Sequence, residues 1–109
     1  FKLLEERMKK IKIFLEYRCY PMWIYNENGE LVDNNLLEEL NGDNSISKNL
    51  KEIQESYDAL FEDNDLNFEF KGFSSEVEKL SFLTKIDKTI ELIKVKIGNN
   101  YTIENKAII

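Results

Sequence analysis

The strongest constraint on this chain lies in Cys19–Tyr20–Pro21–Met22–Trp23–Ile24–Tyr25–Asn26–Glu27–Asn28–Gly29–Glu30–Leu31–Val32–Asp33–Asn34–Asn35, which holds its only Pro and its only Trp. Asn28–Gly29 between two apolar segments predicts a β-hairpin, because both residues tolerate a positive φ at low cost. Two registers compete. A two-residue loop sets Tyr25 opposite Val32 and Ile24 opposite Asp33. A three-residue loop of Glu27, Asn28 and Gly29, with Gly29 left-handed, pairs Ile24 with Val32 and Tyr25 with Leu31. The second matches apolar with apolar on both faces and is preferred. Apolar residues on both faces predict a strand covered on both sides, with Ile24 and Val32 buried.

The rest of the chain arranges itself around that hairpin. Phe1, Leu4, Met8, Ile11 and Leu15 recur at three-to-four spacing, which predicts an N-terminal helix to about Leu15. A strand competes there, since Ile11, Ile13, Leu15 and Tyr17 alternate. Pro21 disfavours helix at Tyr20 and opens the hairpin strand. Leu36–Leu40 reads as a short helical turn capped by Asn34 or Asn35, and 41–45 as a loop. A middle helix follows, capped by Ser47 or Asn49 and running to Phe61 or Glu62, with Leu50, Ile53, Tyr57, Leu60 and Phe61 on its buried face. Leu66, Phe68 and Phe70 alternate with polar residues as a half-buried strand over 66–71. Ser75 and Glu78 then form a capping box for the longest helix, whose stripe is Val77, Leu80, Leu83, Ile86, Ile90, Ile93 and Ile97. Gly98 stands where a C-terminal cap belongs, and a strand over 101–108 closes the chain. The expected fold is α+β: a mostly antiparallel sheet of the 22–34 hairpin, 66–71 and 101–108, packed against N-terminal, middle and C-terminal helices.

Length and charge narrow the function. At 109 residues the chain is expected to form a single domain, 1–109. No apolar run approaches the roughly 18 residues that span a bilayer. Cys19 has no cysteine partner in the chain, which removes an internal disulfide and a cysteine zinc site. With no recognisable secretory signal, a reducing cytoplasm is the expected location. The net charge of −6 is unevenly spread. Residues 1–18 carry +3 and 71–109 carry +2, whereas 19–70 holds thirteen acids against Lys48 and Lys51. An acidic centre disfavours nucleic acid and anionic membrane as partners and suits a basic protein, although solubility alone also asks for such charge.

Catalytic chemistry finds little to work with. The chain has no His, which removes the usual general base, triad member and imidazole metal ligand. Cys19 has Arg18 beside it, but its place at a strand entry fits a buried thiol better than a nucleophile. The four glycines are scattered at 29, 42, 72 and 98, so no loop cradles a phosphate. Asp63–Asn64–Asp65–Leu66–Asn67 opens like a calcium loop, but Phe68 replaces the turn glycine and Ser74 the bidentate Glu. That segment reads as a solvated turn. No metal or other cofactor is expected, and no enzyme. Two sets of candidate binding residues remain. Glu52, Glu55, Asp58 and Glu62 fall on the solvent side of the middle helix and continue into Asp63 and Asp65, a ridge suited to a basic partner. Trp23 and Tyr25 could stack on a ligand, though aromatics on such a hairpin more often serve the core.

Two resemblances attach to these residues. Ile24-Tyr25-Asn26-Glu27-Asn28-Gly29-Glu30-Leu31-Val32-Asp33-Asn34-Asn35 resembles the first hairpin of PAS sensory domains, which implies a small-ligand module with Trp23 and Tyr25 near its pocket. The Asn/Lys/Ile-rich composition and the stretch from Tyr20 to Asn35 resemble the small acidic immunity proteins of bacterial polymorphic toxin systems. That second likeness implies a non-enzymatic inhibitor that binds one toxin domain, covering a basic surface with carboxylates. The inhibitor is the leading expectation and the PAS-like module the alternative.

Overall fold

The computed structural model describes residues 8–108. In order it contains β1 (Lys9–Ile13), β2 (Met22–Tyr25), β3 (Leu31–Asp33), a 3-10 turn (Glu38–Leu40), α1 (Asn44–Asp58), β4 (Phe61–Asp63), β5 (Phe68–Phe70), α2 (Glu76–Ile97), a second short turn (Gly98–Asn100) and β6 (Tyr101–Asn105). The fold is α+β, with one four-stranded sheet in the order β3-β2-β1-β6 and a separate two-stranded sheet of β4 and β5.

The first correction is at the N-terminus. Residues 1–7 of the expected helix lie outside the described residues, and Lys9–Ile13 is a strand. Ile11 and Leu15 satisfy a helical and an alternating period equally, so the deciding residue is Ile13, which is buried. β-branched residues at alternate positions suit a strand packed on one face. Ile11 and Ile13 pair with Ile24 and Met22 on β2 and face the core. Their neighbours Lys10, Lys12, Trp23 and Tyr25 alternate onto the other face, where Lys12 Nζ lies 4.5 Å from the Tyr25 ring centroid.

The hairpin forms, with its three-residue loop. Gly29 has φ +81°, its N–H donates to the Asn26 carbonyl at 3.0 Å, and the Asn26 side chain accepts from the Asn28 and Glu30 N–H groups. The strands combine both candidate registers. Tyr25 pairs with Leu31, Ile24 pairs with Asp33, and Val32 is the extra residue of a bulge between them. Ile24 is half-buried against the core, but Val32 is 61% exposed, so its expected burial is overturned. β3 is an edge strand, and nothing covers it on both sides to enforce apolar pairing. Asn34 caps no helix. Its amide donates to the Tyr20 and Met22 carbonyls, at 2.6 and 2.9 Å, and so ties the end of β3 to the entry of β2.

Both helices share one core with the inner face of the larger sheet. α1 starts earlier than expected, because the Asp43 carboxylate accepts from the Ile46 N–H at 3.0 Å. It buries Ile46, Leu50 and Ile53. α2 is capped by Ser75 as expected, while the Glu78 carboxylate reaches back to Ser74 rather than to Ser75. Phe82, Ile86, Ile90, Ile93 and Ile97 join the core, but Val77 and Leu80 are exposed, since the first turns of α2 overhang it. Gly98, at φ +60°, ends the helix. The chain then returns as β6, parallel to β1, with Ile11 paired to Ile103. The sheet is therefore mostly antiparallel, with one parallel pair. The run of consecutive strands with which a PAS domain ends is absent from the described residues, where α2 separates β5 from β6.

The strand expected at 66–71 is Phe68–Phe70, whose three residues are exposed and which lies outside the larger sheet. Its partner is β4, which begins at Phe61, where the sequence predicts the end of the middle helix. α1 stops at Asp58, and the Leu60 carbonyl instead accepts from the Lys71 and Gly72 N–H groups. A helix running on to Glu62 or Asp63 would have set those carboxylates against the negative C-terminal end of its own dipole.

Two outcomes test this description. Gly29→Val meets no atom within 4 Å of its Cβ, so the cost is purely that of a positive φ, about 1–2 kcal/mol in a denaturant titration. Tyr101, on β6, donates to Glu39, and burial together with that bond pushes its phenol up to about 12 from the ordinary 10.0. Its folded value lies above its unfolded one. Its contribution is therefore complete below pH 10 and lost as pH rises through about 12. Tyr101→Phe should flatten that alkaline limb of the stability curve and remove the highest tyrosinate step at 295 nm.

Candidate partner-binding surface

The six carboxylates of the expected ridge are spread over two elements and the turn that follows. Glu52, Glu55 and Asp58 belong to α1, Glu62 and Asp63 to β4, and Asp65 to the β4–β5 turn. That turn closes with the Asn64 N–H on the Asn67 carbonyl at 2.9 Å, and the Asn64 side chain accepts from the Leu66 N–H at 2.9 Å.

Four of the six already have partners in the chain. Lys85 on α2 reaches Glu52 at 2.9 Å, and this bond holds the Glu52 carboxyl below the usual range. Asp58 accepts from the Arg18 backbone N–H at 2.9 Å. Arg18 has φ +60° in the β1–β2 turn, a conformation that costs a non-glycine residue about 1 kcal/mol or more, and the Asp58 acceptor helps to hold it there. The Arg18 guanidinium lies 3.4 Å from Asp63, which also accepts from the Tyr17 hydroxyl at 3.2 Å. Glu62 meets Lys71 at 3.1 Å, and Lys71 also contacts Glu69. These pairs are largely exposed, so each contributes little to stability by itself. The Glu55 and Asp65 carboxylates have no hydrogen-bond or ion-pair partner among the described residues.

Sequence reasoning missed what lies between these carboxylates. Pairing of Phe61 with Phe70 and of Asp63 with Phe68 sets three phenylalanines on one face of the β4–β5 hairpin. Phe61 stacks on Phe68 at 5.4 Å and meets Phe70 at 5.1 Å. Tyr17 contacts Phe61 at 4.8 Å and Phe68 at 5.1 Å, and Tyr57 contacts Phe61 at 5.2 Å. The signal is present in the alternation of Phe68 and Phe70, which by itself predicts a half-buried strand of the main sheet.

The other candidates are dispersed. Trp23 donates its indole N–H to the Phe14 carbonyl at 3.1 Å and meets the Phe14 ring edge-on. Tyr25 lines an open cleft of about 440 Å³ with Ile24, Val32, Leu36 and Tyr101, a cleft that Trp23 does not line. Cys19 is half-buried rather than buried. Its thiol is pushed up by burial and by Glu16 and Asp58, the opposite of an activated nucleophile. No helix among the described residues is long and apolar enough to cross a membrane.

No curated protein matches the chain. A family model described as "Serratia CdiI immunity protein-like" matches residues 9–106, from β1 to just beyond β6. A match over nearly the whole fold decides membership: the chain belongs to the Serratia CdiI immunity protein-like family.

Proposed function

We propose that this chain is a non-enzymatic inhibitor that binds the toxin domain of its own bacterial cell in the cytoplasm, one copy to one, and covers a basic surface of it. Membership of an immunity protein-like family supports the binding role. The observation that carries the surface is the charge of α1 and the β4–β5 hairpin: between residues 52 and 71, seven acidic side chains stand against Lys71 alone. Glu55 and Asp65 are the carboxylates best placed to meet incoming cations, because the others already have partners. Glu52, Asp58, Glu62 and Asp63 fix the surface and add to its field. Such a field speeds encounter with a positive partner and fades with salt.

The test is a stopped-flow titration against the toxin domain encoded by the neighbouring gene. Glu55→Lys with Asp65→Lys should slow association by about tenfold or more and reduce its salt dependence. The melting temperature should stay near that of the parent. Asp58→Lys should lower it as well, since Arg18 loses its acceptor. An association rate indifferent to the double change and to added salt would reduce the acidic surface to a solvated face.

A further inference from the structure

We infer that the aromatic face of the β4–β5 hairpin, with Leu66 at its tip, is the apolar anchor of the toxin interface and takes a nonpolar socket rimmed by Lys or Arg. This rests on the reading of the chain as an inhibitor and names the part of the surface that holds the partner once charge has steered it in.

The hairpin is poorly explained by folding alone. Its strands are three residues each, and an isolated two-stranded sheet is marginal in water. Only one strand residue, Phe61, is drawn well into the aromatic cluster, wedged between Tyr17 and Tyr57. Phe68 and Phe70 remain 55% and 51% exposed, and Leu66 is 97% exposed. A chain that needed only to join α1 to α2 could do so with a polar turn. Rigid aromatics presented at small entropic cost, central to a charged rim, are the composition of a binding hot spot. Contacts among Phe61, Phe68, Phe70 and Tyr17 already fix these rings, so little ordering remains to be done on binding.

The rim selects the occupant. Asp63 lies on the aromatic face opposite Phe68 and Asp65 in the turn at its tip, while Glu62 and Glu69 alternate onto the reverse face of the hairpin and add to its negative field. A second copy of this chain would set the acidic excess of the segment against itself, and the nearby cations Arg18 and Lys71 are already engaged by Asp63 and by Glu62 and Glu69. A partner that is apolar at the centre and basic around it has no such conflict. Charge then governs the rate of encounter, and the aromatic face governs residence time.

The experiment measures binding of the intact chain to the neighbouring toxin domain by surface plasmon resonance, with Leu66→Ser, Phe68→Thr and, as a control on α2, Val95→Ser. Leu66 and Val95 are 97% and 84% exposed, so neither change threatens the fold, and melting temperatures check Phe68→Thr. The expected result is dissociation accelerated by about tenfold or more in the first two variants, association within about twofold, and no change with Val95→Ser. Dissociation unaltered by Leu66→Ser and Phe68→Thr overturns the anchor while leaving the inhibitor reading intact, provided the parent binds. A parent that does not bind the toxin domain removes the inhibitor reading and the anchor with it. A parent that sediments as a dimer, and as a monomer after Leu66→Ser, assigns the face to self-association and overturns the proposal.

Discussion

The burial of Ile11 and Ile13 on β1 is the constraint on which the rest of the structure depends. β1 is the one strand of the larger sheet flanked by β2 on one edge and β6 on the other. Its antiparallel partner comes from the hairpin that follows it, and its parallel partner from the far end of the chain. The residues between β3 and β6 must therefore leave the sheet, cover its inner face and return. α1 and α2 do this, setting Leu50, Ile53, Ile86, Ile90 and Ile93 over Ile11, Ile13 and Met22 in one continuous core. Parallel pairing between the ends of a chain closes a long loop, which is entropically costly and needs such a core to offset it.

The connection from α1 to α2 sets exposed Leu66, Phe68 and Phe70 among Glu62, Asp63, Asp65 and Glu69. Lys85 and Glu52 tie the helices together directly. The β4–β5 hairpin is braced by the Leu60 carbonyl and by Tyr17 from the β1–β2 turn. Arg18, held at a positive φ, joins that same turn to α1 and β4 through Asp58 and Asp63. The carboxylates are thus divided. Glu52, Asp58, Glu62 and Asp63 bond to other parts of the chain, and the Glu55 and Asp65 carboxylates have no such partner among the described residues. An inhibitor profits from that division, because a rigid charged surface binds without having to order itself first.

What the sequence determined by itself was local. Asn28–Gly29 specified a three-residue loop with Gly29 left-handed, Ser75 and Gly98 bounded α2, and the isoleucine stripe chose its buried face, because each signal acts within a few residues. The excess of acids over 52–65, the likeness to immunity proteins and the α+β class were legible in the same way, from composition and order. Tertiary structure decided what depended on neighbours distant in sequence. Ile11 and Leu15 fit helix and strand alike until β2 and β6 made Lys9–Ile13 a strand. Val32 suits a buried position by its own chemistry, but β3 lies at an edge where a bulge relieves the register. Phe61 became a strand residue only because Phe70 was there to pair with it. The aromatic face between the carboxylates needed both strands and Tyr17 to exist at all, and no local period announces a surface assembled from three separate parts of a chain.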